Sequence, residues 1–431
     1  MKSKHRWFVL AVFYGFILLH QADKLIIAPL TTPIIEDFSI TQAQMGAVSS
    51  LAIVVAAVLY PVWGYLYDRF ARAKLLALAS FIWGATTWLN ALARSYGVFL
   101  VTRASTGIDD SSYPGIYSLL SDYFGPRVRG RIYGLLQTAV PFGYMLGLIL
   151  SSVLGGVLGW RQVFFITGSV GILISVIIFL GVREASRGGA EPEMAGLEHV
   201  PTFQFSWPVA RQLLKRPSLR LIYVQGFFGV FPWQVITFWF FRYLEKERGF
   251  TQGEATMTMM VGIVALAAGY FLGGSLGDLF FRRTPRGRVL TANVGVVLGA
   301  ILLWATISLP LESRLPFTLL MGLTGLTMSW GTANVTASIQ DVAEPEVRST
   351  AAALGDLVGN IGSAIAPWLA GFIADRASLR VAILGICVIA WAICAVFMAV
   401  LSRIIPVDIA RLRQTMHERA DQARREASRA G

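Results

Sequence analysis

Long apolar stretches, parted by short polar ones, repeat along the whole chain. They fall at about residues 7–30, 43–66, 74–93, 96–120, 131–156, 161–182, 218–243, 253–280, 288–309, 315–341, 349–374 and 380–404. Each is near the ~20 residues that a helix needs to cross a bilayer. Twelve spanning helices are predicted, and an even number places both termini on one side. The first run follows a basic end, as in a signal peptide. It continues through Gln21-Ala-Asp-Lys24 to Leu30 without a small-residue cleavage site, so it reads as a retained first helix. One polar segment, 183–217, is rich in Gly, Pro, Glu and Arg and divides the spans six and six. It reads as a cytoplasmic linker with a short amphipathic piece around Phe203–Leu214. The predicted organisation is a six-helix bundle at 1–182, the linker at 183–217, a second bundle at 218–404 and a basic cytoplasmic tail at 405–431. The tail's helical part, Val407–Arg425, either lies on anionic headgroups or is solvated.

Composition agrees with this class. The chain has 431 residues, 55% of them hydrophobic and only 14% charged, with a mean hydropathy of +0.61. A soluble protein carries roughly a quarter charged residues. The net charge of +12 would suit nucleic acid, but its distribution argues against that partner. Of the 37 Lys and Arg residues, 27 fall on the side of the termini and 8 on the other, with Lys24 and Arg103 inside spans. The positive-inside rule then places both termini in the cytoplasm of a cell (inner) membrane protein. Cys387 and Cys394 lie in one apolar run and read as small buried hydrophobes. The four histidines show no ligand spacing, so no metal is expected. No phosphate loop, ATP motif or nucleophile–base set is present, so neither an enzyme nor a primary pump is expected.

The two halves repeat each other. Gly64-Tyr-Leu-Tyr-Asp68-Arg69 after span two returns as Gly274-Ser-Leu-Gly-Asp278 after span eight. Asp122-Tyr-Phe-Gly-Pro126-Arg-Val-Arg129 after span four returns as Asp341-Val-Ala-Glu-Pro345-Glu-Val-Arg348 after span ten, 219 positions on. Gly143 and Gly362 keep that offset.

These motifs resemble those of the major facilitator superfamily. The resemblance implies an all-α membrane protein of twelve transmembrane helices in two pseudo-symmetric six-helix bundles. Gly64-x-Leu-x-Asp68-Arg69-x-x-Arg72 resembles its loop 2–3 signature, with Ala71 where glycine is usual. Arg103-x-x-x-Gly107 resembles its fourth-span motif, whose arginine is linked with proton coupling, and Gly159-Trp-Arg161 is also typical. Within the superfamily the pattern is most similar to the spinster-like group. Asp23-Lys24, Arg103-x3-Gly107-Ile-Asp-Asp110-Ser-Ser-Tyr113, Pro141-Phe-Gly143, Arg348-Ser-Thr-Ala351 and Gly359-Asn-Ile-Gly-Ser363 carry that similarity. Asp110 stands where glutamate is expected and Asp109 replaces a glycine. The group's association with lysophospholipids and sphingosine phosphate implies an amphiphilic substrate. Gln44-Met-Gly46 is shared with organic-anion:cation symporters.

The candidate chemistry lies in spans one and four. A charge at bilayer depth costs at least about 2.5–3.5 kcal/mol, so ionisable groups retained there mark function. Asp23, Arg103, Asp110 and Asp109 are the expected proton-coupling residues. On a helix, Arg103 and Asp110, seven residues apart, share a face and Asp109 points about 100° away, so geometry favours Asp110 as the working partner of Arg103. Asp23 is the expected partner of Arg103 from span one, and His20 shares a face with Asp23. A substrate anion that takes Arg103 would let Asp23 or Asp110 gain a proton. His20, Lys24, Tyr113, Trp233, Trp330, Asn334 and Asn360 are the expected substrate residues, in an apolar cavity with few polar anchors. Pro232 is a candidate hinge in the aromatic-rich seventh span. Gly64, Asp68, Arg69, Arg72, Asp278, Arg129 and Arg348 are the expected gate. The leading reading is a monomeric, proton-driven secondary transporter without cofactor, moving an amphiphilic or anionic small molecule such as a lysophospholipid by alternating access. An organic-anion:proton symporter, a drug efflux carrier and a non-transporting receptor are the alternatives.

Overall fold

The computed structural model describes residues 3–124, 126–185, 213–343 and 347–430. Most of the expected linker, with its amphipathic piece, lies outside them. The described residues form helices and their connections. The helices are α1 (Ser3–Phe38), α2 (Gln42–Arg69), α3 (Arg72–Leu92), α4 (Tyr96–Ser105), α5 (Gly107–Asp110), α6 (Pro114–Tyr123), α7 (Pro126–Leu158) and α8 (Trp160–Gly181). After the linker come α9 (Pro217–Lys246), α10 (Gln252–Phe281), α11 (Gly287–Ser308), α12 (Arg314–Met328), α13 (Trp330–Val342), α14 (Arg348–Ala374) and α15 (Leu379–Ala430). Ten are long and apolar enough to cross a membrane.

The two remaining spans are broken, and both occupy the same place in their half. Span four is α4, α5 and α6 in series; span ten is α12 and α13. The sequence reading of one continuous fourth helix is therefore corrected. Local hydroxyls compete for the backbone there: Thr106 Oγ1 donates to the Arg103 carbonyl at 2.7 Å and Ser111 Oγ to Ile108 at 2.9 Å. Pro114 then starts a new helix at its first position, where the missing N–H costs least. Carbonyls freed by a break need donors in an apolar medium. α2 supplies them: Trp63 Nε1 donates to the Ile108 carbonyl at 2.6 Å, and the Tyr67 hydroxyl to that of Ser112 at 2.9 Å.

Helix ends follow their sequence signals. Thr41 and Gln44 form a reciprocal capping box at the start of α2, satisfying two backbone donors. Gly159 joins α7 to α8 with φ +86°, a conformation that L side chains avoid.

The chain divides into two compact units whose limits do not follow the two sequence halves. One comprises Met1–Phe203, Gln234–Ile263 and Ser363–Ile383; the other Gln204–Trp233, Val264–Gly362 and Leu384–Gly431. The division cuts α9 between Trp233 and Gln234, one residue past Pro232, although the helix runs through the proline.

In the first unit α1 packs along α7 and α3 along α8. Glycine permits the α1–α7 approach: a Cβ on Gly147 would stand 2.2 Å from the Ala22 carbonyl oxygen. Segments 234–263 and 363–383 join the far ends of α1 and α2. Asp375 accepts from the backbone N–H groups of Gln42 and Ala43 at 2.8 Å each. Lys246 pairs with Glu36 at 2.8 Å, and Thr32 donates to Glu245 at 2.7 Å. The core of this unit gathers Phe13, Phe16, Trp83, Leu119 and Leu136. The second unit has its own core around Ile222, Tyr223, Val342, Leu354 and Met398. Large apolar side chains such as Phe179, Leu180, Phe271 and Val396 lie exposed, as lipid-facing positions require.

Candidate functional site

The functional candidates of spans one and four meet inside the first unit. α1, held against α7, presents His20, Gln21, Asp23 and Lys24. The break in span four turns Asp109, Asp110 and Tyr113 towards them.

Two pairings result. Arg103 Nη1 donates to Asp23 Oδ2 at 3.3 Å, and both side chains are buried. Thr167 of α8 donates to the other Asp23 oxygen at 3.4 Å, and the Phe164 ring lies 5.7 Å under the guanidinium. Asp110 has different partners: Lys24 Nζ at 2.9 Å and His20 Nε2 at 3.3 Å. Thr106 between Arg103 and Asp110 keeps right-handed helical dihedrals, and Arg103 lies in electrostatic range of Asp110, but the ion-pair contacts of Asp110 go to Lys24 and His20.

His20 is the centre of the group. Its Nε2 lies 2.6 Å from Asp109 Oδ2, and its Nδ1 2.6 Å from the Tyr113 hydroxyl. Gln21 Nε2 donates to the same hydroxyl at 2.8 Å. Phe16 stacks on the imidazole and the Trp83 ring meets it edge-on. Asp109, the residue without a sequence explanation, is completely buried. His20, expected to share a face with Asp23, has its contacts with Asp109 and Asp110.

His20, Asp109 and Asp110 bring potential ligand atoms within 4.8 Å of one another. The Lys24 ammonium already stands on Asp110 and Tyr113 engages the second imidazole nitrogen. The group is a charge network in which Asp110 already has a cation and the imidazole is engaged at both nitrogens.

The other substrate candidates belong to different surroundings. Asn334 is 2% exposed, and its Nδ2 donates to the Gly273 and Trp330 carbonyls at 2.8 Å each. In this structure it fastens span eight to the broken span ten. Trp330 packs on Gly273 and Gly295 in the same crossing. Trp233 and Asn360 are half-buried.

Among the gate candidates, Arg72 is buried and pairs with Asp122 at 2.6 Å and Glu184 at 2.8 Å. The second half repeats this with Arg288, on Asp278 at 2.7 Å and Asp341 at 2.5 Å. Sequence reasoning missed Glu184 and gave Arg288 no role; the repeated aspartates Asp122 and Asp341 were the available signal. Arg69 lies over Tyr65, and a Cβ on Gly64 would meet nothing within 4 Å. The side chains of Asp68, Arg129 and Arg348 lie outside the described residues.

Comparison with known proteins adds the following. The family model described as Major Facilitator Superfamily matches residues 12–320 and 287–421. Protein spinster of Drosophila melanogaster is 25% identical over 387 residues, 86% of this chain and 62% of that protein. Protein spinster homolog 1 of Bos taurus is 29% identical over 402 residues, 87% of this chain and 74% of that protein. A crystal structure of a bacterial homologue of the human lysosomal transporter spinster, inward-facing and occupied, matches with a TM-score of 0.83 at 20% identity. That match covers 95% of this chain and 99% of the other; it is a likeness of fold.

Proposed function

This chain belongs to the major facilitator superfamily, and on that footing we propose that it is a proton-coupled carrier of an amphiphilic anion, a lysophospholipid-like lipid. It is a multi-pass membrane transporter related to the spinster proteins and not an enzyme. In our reading it works as a monomer in the cell (inner) membrane, with both termini cytoplasmic, by alternating access.

One observation carries the proton-coupled part. The broken fourth span holds Asp109 and Asp110 against His20 and Lys24 in the interior. The 219-residue offset puts Ser329 opposite Asp110 in the other half, at an equivalent break that holds no charge. A break alone therefore does not require these charges. Ionisable groups kept at such depth are retained for ion or substrate traffic. The lipid part rests on the similarity to spinster proteins over most of the chain.

The test uses proteoliposomes and labelled lysophosphatidylglycerol, scored as label protected from albumin extraction. Other lysolipids are expected to compete, and soluble aromatic carboxylates are not. Competition by the carboxylates alone replaces the lipid reading with an organic-anion carrier. Saturable binding without any protection replaces it with a receptor.

A further inference from the structure

The charges gathered around His20 do not cancel in pairs. Asp23 is balanced by Arg103, and Asp110 by Lys24. Asp109 is left over, with His20 as its immediate neighbour at 2.6 Å. An uncompensated carboxylate in an apolar interior is among the costliest groups a fold can contain. One proton on His20 or Asp109 removes that cost, whichever of the two atoms holds it. Facing this pair are Asp23 and Lys24 from α1, Arg103 from α4, Asp110 from α5 and Tyr113 from the turn before α6. Tyr144 of α7 lies in electrostatic range of Lys24. α3 meets the pair through Trp83; its own Arg72 and Lys74 are about three turns away.

α3 supplies an independent observation. Trp83 Nε1, Thr87 Oγ1 and both amide atoms of Asn90 are buried, with no hydrogen-bond partner among the described residues. Thr87 and Asn90 are 0% exposed. Spacings of four and three put all three residues on one face of α3. They span about 10 Å, from the His20 ring towards the end of the helix at Leu92. Buried polar groups in such rows are satisfied by internal water, and water chains pass protons.

We propose that the transported proton is held by the His20–Asp109 pair and reaches it along the Trp83–Thr87–Asn90 face of α3. This rests on the proton-coupled reading above. Lys24 connects the proton to substrate. Its side chain is 38% exposed where that of Arg103 is 9%, so it is the cation an incoming anion meets. An anion that draws Lys24 away leaves Asp110 uncompensated, 3.3 Å from His20. The pair then holds its proton more tightly, and anion and proton move together.

The experiment measures albumin-protected lysophosphatidylglycerol in proteoliposomes clamped at zero membrane potential, with the outside one pH unit more acidic. For one proton per anion, accumulation approaches about tenfold. H20Q and D109N are expected to fall to a ratio of about one, with folding checked by an unchanged gel-filtration profile and melting transition in detergent. N90L and T87V are expected to slow the approach to steady state and leave the final ratio unchanged. H20Q and D109N that accumulate like the unmodified protein overturn the carrier pair; unchanged rates in N90L and T87V overturn the route. An unmodified protein that exchanges but never accumulates overturns the proton-coupled reading itself. A substrate-free arm compares the unmodified protein with H20Q/D109N by difference acid–base titration in detergent. The double variant is expected to bind one proton fewer near neutral pH, and equal counts overturn the proposal.

Discussion

The Asp23–Arg103 pair is the buried interaction with the clearest individual consequence. Both side chains are under 10% exposed, so removing one partner strands the other charge. Asp23→Asn is expected to cost about 3–5 kcal/mol, read as a fall in melting temperature in detergent. Neutralising both, as D23N/R103Q, is expected to recover much of that loss. A single variant as stable as the parent would show the pair to be solvated. His20 and Asn334 illustrate how far residue type leads by itself. A histidine three positions before an aspartate suggests a pair on one helix face, yet His20 bonds to Asp109, 89 residues away. A buried asparagine suggests a substrate anchor, yet Asn334 is consumed by two carbonyls.

At the scale of the element, the broken fourth span decides which charges meet. Asp109 and Asp110 are successive residues of α5, and His20 stands between them, within 2.6 Å of one and 3.3 Å of the other. The break is stabilised from outside by α2. Trp63→Phe keeps the ring but removes the donor to Ile108. Ser111 Oγ remains as a donor to that carbonyl, so the change is expected to cost about 0.5–1.5 kcal/mol, the net worth of one hydrogen bond, measured by thermal unfolding. Unchanged stability would mean that another donor takes its place. The break was not legible in sequence, since Thr106, Gly107, Ser111 and Pro114 are also ordinary in helices that cross membranes. The span around them kept its apolar average. What the sequence does not show is where the freed carbonyls find donors: Trp63 and Tyr67, on a helix more than 40 residues earlier.

For the whole molecule, the expected cycle requires the ends of α1 and α2 to part from segments 234–263 and 363–383. Asp375 holds the start of α2 by two backbone N–H groups, where the helix dipole favours a carboxylate. The A43C/D375C pair is expected to cross-link readily and to stop transport until the disulfide is reduced. Undiminished transport in the cross-linked protein would exclude opening at this end. The repeated Arg72–Asp122 and Arg288–Asp341 pairs lie at the other ends of their helices and remain candidate gate hardware.

The sequence by itself determined the twelve spans, the internal repeat and the family. Each is written in local hydrophobicity and in short motifs, which do not depend on what the chain packs against. It also named Asp23, Lys24, Arg103, Asp109 and Asp110, because charge in an apolar run is visible without coordinates. Their pairing was decided only in three dimensions. It depends on the close α1–α7 approach at Gly147, on the turn within span four and on donors lent by α2. Arg103 was the most conspicuous charge in the sequence, but the fold gives it a balanced partner. The uncompensated charge is Asp109, made so by the tertiary placement of His20 and Lys24.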